Sequence, residues 1–337
     1  MEGVLGQNHI KEHFANAIKM NKVSSSYIIN GEGMDEKILL AKYFAKSLLC
    51  DSNAGENKTG IACENCKSCH QIDSLSHPDL KMVVGEKKNL AVDDIREQIN
   101  DDVVIKPYNG RYKVYIVDNA QTMNVQAQNA LLKTLEEPPE YCVILLLTNN
   151  CQSFLQTILS RCVRLDIKPI RESVIIRKLK EEYGVSEYEA KIAASFSDGN
   201  LGKAIMLATN ESVSDMRGDI ISALEGMISG GMDVISRNAE RFSEYKDDIE
   251  DFIGLIRVYM RDILVYKSTK SEDNIILKDN ITVTRQLSEY FSYRTLNEIF
   301  EEIDKAQSRI KFNVNINNVM EVLLIKIKER MKNEDVD

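Results

Sequence analysis

The sequence lacks any apolar run long enough to cross a membrane, since its longest runs fall far short of the roughly 20 residues that a spanning helix needs. The first residues, MEGVLGQNHIKEHF, also lack the apolar core of a signal peptide. Hydrophobic residues make up 43% of the chain and charged residues 28%, as in ordinary globular proteins. We therefore expect a cytoplasmic protein, and the length of 337 residues predicts two or three domains.

An excess of positive charge is also missing. The formal net charge is −9, whereas a protein that binds nucleic acid on its own needs clustered Lys and Arg side chains against the phosphates. The composition therefore predicts that any contact with DNA is local or is made through partners. The seven cysteines are an odd number for a secreted disulfide scaffold, and four of them have metal-ligand spacing, which is typical of a reducing compartment.

The octet GEGMDEKI at positions 31–38 lacks two residues of a phosphate-binding loop. That motif reads G-x-x-x-x-G-K-[ST], in which the second glycine lets the backbone wrap the phosphates and the hydroxyl binds magnesium. Gly31 and Lys37 fit the motif, but Glu36 replaces the glycine and Ile38 replaces the hydroxyl residue. Because a carboxylate repels phosphates and isoleucine cannot bind a metal, we expect at most weak nucleotide binding through Lys37.

A strand, a helix and a second strand are predicted within residues 113–164. The runs 114–117 and 143–147 are short, aliphatic and closed by polar residues, as in buried strands of a parallel sheet. Between them, one helix face carries Ala127, Ala130, Leu131, Thr134 and Leu135. Asn124 can cap this helix, and Pro138 with Pro139 ends it. The pattern indicates a βαβ unit.

Two polar positions of this region indicate nucleotide chemistry. Asp118 follows the first strand, at the place where an α/β sheet positions a magnesium ligand. A Ser160-Arg161-Cys162 triplet follows the next predicted helix. The alternative is that Asp118 merely ends a strand and Arg161 lies at the surface, and the pattern by itself leaves both interpretations open.

Four cysteines have the spacing of a metal site. A helix predicted over 36–49 ends at Cys50, and Cys63, Cys66 and Cys69 follow as CxxCxxC. Tight CxxC turns point thiolates at a shared centre, which predicts a structural zinc ion held by four sulfurs; His70 could replace one cysteine, although four thiolates need no such help. An iron–sulfur cluster and free thiols are the alternatives, although a ferredoxin motif would continue with a further cysteine and a proline. The remaining thiols, Cys142, Cys151 and Cys162, are predicted to be packed.

The runs VYIVDNAQTMN, QAQNALLKTLEEPP, LLLTNN and TILSRC, in this order, resemble the AAA+ module of bacterial clamp-loader subunits. The cysteine insertion, HPDL at 77–80 and VDDIR at 92–96 follow the same family, and the resemblance covers essentially the whole chain. It implies an α/β AAA+ domain with a RecA-like parallel sheet and a zinc-binding insertion at 1–167. A small helical lid at 168–209 and an all-α collar at 210–337, which forms oligomers, would follow.

The resemblance also implies roles for single residues. Arg161 would enter the ATP site of a neighbouring subunit as an arginine finger, unless it only pairs with a local carboxylate. An active ATPase of this class carries a glutamate after Asp118, where this chain has Asn119, which cannot act as a base. Lys203, in the predicted lid, would be the residue that senses phosphate. We therefore expect a degenerate site in which Lys37, Asp118 and Lys203 are doubtful nucleotide contacts.

The function implied by the resemblance is that of a non-hydrolysing subunit of the clamp loader of the DNA polymerase III holoenzyme. Such a subunit completes a neighbour's ATP site and helps to load the sliding clamp on primed DNA during replication. Its partners would be gamma/tau-type ATPase subunits, the delta subunit and, through the complex, the sliding clamp and primer-template DNA. Two alternatives are an active gamma/tau-type ATPase, which the degenerate site disfavours, and a zinc-dependent nucleic-acid-binding scaffold, which the negative charge disfavours.

The remaining elements are predicted from periodicity and from the family resemblance. The residues of the first half indicate a helix at 6–18 and a strand at 25–30, and the family resemblance implies a strand at 80–84 and a helix at 92–100. After helices at 171–182 and 186–197, the chain from residue 213 should be helical, with breaks near Gly230-Gly231 and 269–280. Apolar stripes lie on the last two helices, at Leu296, Ile299, Phe300, Ile303 and Ala306 and at Ile316, Met320, Leu323, Leu324 and Ile327. Periodicity does not separate core from interface here, and the acidic tail NEDVD should fray.

Overall fold

The computed structural model describes residues 6–31, 33–55, 58–85, 89–109, 111–210, 212–229, 232–246, 248–278, 281–312 and 314–331. The chain divides into two compact units. One unit comprises Met1–Ile170 with Asn200–Gly202, and the other comprises Arg171–Gly199 with Lys203–Asp337. The three-domain division at 167/168 and 209/210 stays a prediction. In the described ranges, every helix is too short or too polar to span a bilayer.

The first unit contains a parallel sheet of five strands. These are β1 (Ser26–Asn30), β2 (Leu80–Val83), β3 (Lys113–Val117), β4 (Cys142–Thr148) and β5 (Val163–Asp166). The strand order is β2-β3-β4-β1-β5, and every pair is parallel. Because all carboxyl ends meet at one edge, the loop after β1 and Asp118 after β3 lie along the same edge of the sheet. The predicted α/β AAA+ fold is therefore confirmed, whereas β5 was not predicted.

In the described residues of this unit, six helices pack around the sheet. They are α1 (Asn8–Lys19), α2 (Met34–Leu49), α3 (Lys67–Asp73), α4 (Val92–Ile95), α5 (Val125–Glu136) and α6 (Gln156–Leu159), and a π-helical segment, Arg96–Asn100, continues α4. The predicted cap of α5 is confirmed, since the Ala127 backbone N–H donates to Asn124 Oδ1 at 2.8 Å. Ala127 and Leu131 bury the inner face of this helix against the sheet.

Residues of the central strands alternate between two hydrophobic cores. Tyr115 of β3 and Ile144 of β4 face the core that contains α5, whereas Val114 and Val143 face the core that contains α1 and α2. Both sides of these strands are thus covered by helices. This double burial is the reason that the strands read as continuous apolar runs rather than as alternating patterns.

The other helices are α7 (Glu172–Tyr183), α8 (Glu187–Phe196), α9 (Leu201–Thr209), α10 (Ser212–Ser229), α11 (Met232–Phe242), α12 (Ile249–Thr269), α13 (Ile281–Tyr290), α14 (Tyr293–Lys311) and α15 (Ile316–Met331). Most residues of the two predicted stripes are buried within this chain, namely Leu296, Ile299, Ile303, Ala306, Met320, Leu323, Leu324 and Ile327. These residues therefore form a bundle core rather than an exposed interface. The predicted break at Gly230-Gly231 and the tail NEDVD lie outside the described residues.

Candidate functional site

The loop after β1 is held by hydrogen bonds to the sheet and to its own backbone. Its first residue, Gly31, is fixed to the sheet because its backbone N–H donates to the Thr148 carbonyl at 3.1 Å. Lys37, the residue that would bind phosphate, is fully buried, and its Nζ donates to the Gly31 carbonyl at 2.7 Å. The ammonium group thus contacts the loop's own backbone where an active loop would offer it to a nucleotide.

Glu36 stands at the position of the missing glycine. Its Oε1 accepts a hydrogen bond of 2.9 Å from the Leu201 backbone N–H, at the start of α9 and within the part of that helix that belongs to the first unit. A backbone N–H at a helix start is the kind of donor that binds phosphate oxygens in nucleotide sites. Here the chain's own carboxylate takes that donor.

Gly33 brings the same loop against Asn200. Its φ is +81°, and a Cβ atom at this position would lie 2.7 Å from Asn200 Nδ2. Only glycine accepts both this backbone conformation and this close approach. The loop backbone thus passes close to the Asn200 side chain.

The carboxylate of Asp118 accepts hydrogen bonds from the next residue in the chain. The Asn119 backbone N–H donates to Asp118 Oδ1 at 2.9 Å, and Asn119 Nδ2 lies 3.3 Å from Asp118 Oδ2. Asn119 has a φ of 49°, a left-handed conformation that asparagine tolerates better than most residues. Lys203 lies in the second unit, where its Nζ is 3.1 Å from Asp251 Oδ1. The nucleotide roles assigned to Asp118 and Lys203 stay predictions.

Arg161 lies at the surface immediately after α6. One terminal guanidinium nitrogen, Nη2, is 2.8 Å from Glu136 Oε1, and the other terminal nitrogen, Nη1, donates to the Thr157 carbonyl at 2.9 Å. The peptide carbonyl of Arg161 accepts a 2.9 Å hydrogen bond from the buried hydroxyl of Ser26 in β1. Arg161 therefore pairs with a local carboxylate and remains about one third exposed. Its role in a neighbouring site stays a prediction.

Four thiols form a compact cluster. Cys50, Cys63, Cys66 and Cys69 place their Sγ atoms within 4.8 Å of one another. Cys50 Sγ lies 3.8 Å from Cys66 Sγ and 3.8 Å from Cys69 Sγ, and zinc–sulfur bonds of about 2.3 Å in a tetrahedron require sulfur atoms ~3.8 Å apart. The residues therefore fit a tetrahedral metal. His70 is exposed and lies outside this cluster, so the prediction of a substitute ligand finds no support.

Protonation differs among these thiols. A backbone hydrogen bond from Asn65 is the main reason that the pKa of Cys63 falls to about 6. Burial raises the pKa of Cys66 and of Cys69. The buried thiols would thus stay protonated without a cation in their midst, and binding a metal would release their protons. Burial also raises the pKa of Cys142 to about 12, as expected for a packed thiol that does not react.

Lys46 of α2 binds the cysteine segment to the helix that precedes it. Its Nζ lies 2.6 Å from Glu64 Oε2 and 2.7 Å from Asp73 Oδ1. Glu64 lies between the first two cysteines of the CxxCxxC run, and Asp73 ends α3. Burial alone would lower the pKa of Lys46, but the hydrogen bonds that its ammonium group donates to the two carboxylates outweigh this effect and raise the pKa. The three charges together fix the segment's orientation.

Asn53 organises the loop between Cys50 and Cys63. The periodicity of the sequence does not predict this role. Its buried side-chain amide donates to the carbonyls of Ser47 and Ile61, at 2.9 and 3.0 Å. Its Oδ1 accepts from the backbone N–H groups of Thr59 and Gly60, at 3.1 and 3.2 Å. One side chain therefore satisfies four backbone groups of the loop.

Replacement of Asn53 by alanine should destabilise this loop. The change leaves buried backbone donors and acceptors without partners, at about 1–3 kcal/mol for each group that water cannot reach. We expect the free energy of unfolding to fall by about 2–4 kcal/mol and the affinity for zinc to fall as well. Chemical denaturation and zinc competition would measure both. Asn65→Ala, at an exposed position of the same segment, is the control and should leave both values nearly unchanged.

The sheet order, the loop after β1, Asp118 after β3 and the arginine after α6 define a protein of the AAA+ class. A family model described as DNA polymerase III, delta subunit, matches residues 6–171, and a model of the C-terminal region of that subunit matches 239–329. The chain belongs to the clamp-loader family of DNA polymerase III subunits.

Individual relatives differ in how much of their length this chain covers. The DNA polymerase III subunit tau of Bacillus subtilis is 31% identical across 97% of this chain, which spans 61% of that relative. Subunit delta' of the same organism is 26% identical, and the match covers 96% of each protein. Subunit tau of Escherichia coli is 30% identical across 75% of this chain, which spans 42% of it. The chain thus spans less than two thirds of these tau subunits and nearly all of delta'.

Proposed function

We propose that this chain is a non-hydrolysing, delta'-type subunit of a DNA polymerase III clamp loader. The proposal depends on two hydrogen bonds that occupy the loop after β1. The Glu36 carboxylate accepts from the Leu201 backbone N–H, and the Lys37 ammonium donates to the Gly31 carbonyl. A bound triphosphate would have to displace both contacts and lie beside a carboxylate, which repels it. Asn119, in place of a catalytic glutamate, supplies no base for water. The match over 96% of a delta' relative supports the same assignment.

The partners follow from this assignment. The chain would assemble with gamma/tau-type ATPase subunits and the delta subunit in the cytoplasm, and would meet the sliding clamp and primer-template DNA through the complex. Arg161 would be its contribution to catalysis, because an arginine stabilises the charge that develops on a transferred phosphoryl group. A finger needs to be accessible and held on a rigid support, and Arg161 satisfies both conditions, since it lies at the surface and its backbone is bonded to β1.

The four-cysteine cluster would hold a structural zinc ion. All four ligand positions are sulfurs, so a bound ion has no open position for water or substrate. The zinc would therefore hold the segment from Cys50 to Asp73 together and would take no part in ATP chemistry. Its two CxxC turns are positioned by N–H groups that point at sulfur, as in the 3.4 Å contact from the Cys69 backbone to Cys66 Sγ.

ATP turnover by the purified chain tests the proposal. We expect background turnover, unchanged in Lys37→Ala, and a large increase in turnover when the chain is added to the other clamp-loader subunits of its organism. The 31% identity to tau favours an active ATPase as the second candidate. Turnover by the chain alone that disappears in Lys37→Ala would support that candidate and contradict ours, because contaminating ATPases would not respond to this substitution.

A further inference from the structure

Glu136 and Arg161 form an ion pair between two elements that are separately anchored in the core. Glu136 is the last residue of α5, directly after the buried Thr134 and Leu135. Arg161 follows α6, whose Ile158 is fully buried. Side chains at two fixed positions meet at 2.8 Å, so the direction of the guanidinium is determined by the packing of the core.

The contacts of the guanidinium leave part of it available. Arginine carries five N–H donors, and Glu136 and the Thr157 carbonyl each take one from the two terminal nitrogens. Ser160 Oγ accepts a third hydrogen bond, from Nη1, at 3.4 Å. These contacts use three of the five N–H groups, and the side chain is about one third exposed. A phosphoryl oxygen could therefore bind the free edge while Glu136 keeps its contact.

We propose that Glu136 is a positioning residue for Arg161, an inference that rests on the proposed role of Arg161 as a finger. Its carboxylate holds the guanidinium on one edge and presents the other edge to the transferred phosphoryl group of the adjoining subunit. A side chain ordered in advance loses less conformational freedom when it binds, so more of its interaction with the phosphoryl group is realised in the transition state. Glu136 would thus orient Arg161 in the way that a third residue orients the general base of a catalytic nucleophile.

Steady-state ATPase assays of the assembled complex test this inference. Glu136→Ala should lower kcat about three- to fivefold, the size expected for a half-exposed ion pair, and should leave KM for ATP unchanged. Glu136→Gln keeps an oxygen that can accept a hydrogen bond from Arg161 Nη2, so we expect it to recover most of the lost rate. The double variant Glu136→Ala/Arg161→Ala should be no slower than Arg161→Ala, because Glu136 acts only through Arg161.

Glu137→Ala is the matched control. This exposed neighbour has the same charge, and in the described part of the chain it is not among the carboxylates paired with a basic side chain. Glu137→Ala should have wild-type turnover, and gel filtration should show equal assembly for every variant. If Glu136→Ala equals this control or exceeds wild type, or if the double variant is slower than Arg161→Ala, the inference is wrong. If Arg161→Ala itself has normal turnover, the proposed role of Arg161 as a finger is wrong, and the inference about Glu136 falls with it.

Discussion

Arg161→Ala is expected to lower ATP turnover at the neighbouring site that it completes by on the order of 10³-fold, the lower end of the range for arginine fingers, and so to lower the turnover of the assembled complex. The chain itself should fold normally, because the lost contacts are a surface ion pair and one carbonyl interaction. The backbone at this position stays fixed by Ser26, whose hydroxyl binds a peptide carbonyl that alanine retains. The effect should therefore appear in kcat and not in melting temperature or in assembly.

Arg164→Ala provides the matched control for this prediction. Arg164 is an exposed arginine three residues later, and it pairs with Asp166 at 2.8 Å within β5. Its loss removes the same charge without touching the proposed finger, so turnover should stay close to that of the wild type. Arg161→Lys should recover little, because an ammonium group lacks the planar fork of donors. Normal turnover in a fully assembled Arg161→Ala complex would contradict the proposed role of Arg161 as an arginine finger.

Much of the fold could be predicted because its strands and helices carry strong local signals. The central strands are covered on both faces, which makes each one a continuous apolar run, and α5 has both a capping residue and a proline stop. β5 carried no such signal. It is a four-residue edge strand in which Arg164 and Asp166 are exposed, so its pattern does not differ from that of a polar loop.

The candidate sites were only partly predictable for a different reason. The missing glycine and hydroxyl of the phosphate loop are visible in the sequence, but the partner of Glu36 is Leu201, 165 positions away. The contact between Glu136 and Arg161 likewise joins residues from separate helices. Asn53 resembles any polar loop residue until its amide is seen to be buried. Such contacts depend on tertiary packing, which local periodicity does not encode.

If the four thiols hold the proposed zinc ion, its loss should unfold the cysteine segment around them while the sheet survives. The apolar core of this segment consists of Cys50, Ala62 and Cys69, with Cys66 partly buried against them. Three of these four residues are the proposed ligands, and the other fully buried apolar side chain of the segment, Ile72, packs at its far end in the core that contains α1 and α2, so the part around the thiols has almost no hydrophobic core of its own. Structural zinc contributes about 10–16 kcal/mol of apparent binding free energy in small zinc modules. The two large cores on either side of the sheet are separate clusters and need no metal.

Cys66→Ser is the substitution that isolates the metal. Cys66 caps α3 through its Sγ, and serine is a strong capping residue, so the helix start is retained while a thiolate ligand is lost. We expect the chain to lose its zinc, amide exchange to accelerate throughout 50–73, and protection in α12 to α15 to stay unchanged. Metal analysis and hydrogen-exchange mass spectrometry would measure these effects.

Cys151→Ser is the matched control, because it places the same hydroxyl at a buried thiol outside the cluster. It should keep its zinc and lose about 1–3 kcal/mol of stability from burial of a polar group. If Cys66→Ser retained zinc, or released it without faster exchange in 50–73, the metal would not be what holds this segment together. The contacts of Lys46 and Asn53 would then carry its stability, and Asn53→Ala would become the more damaging substitution.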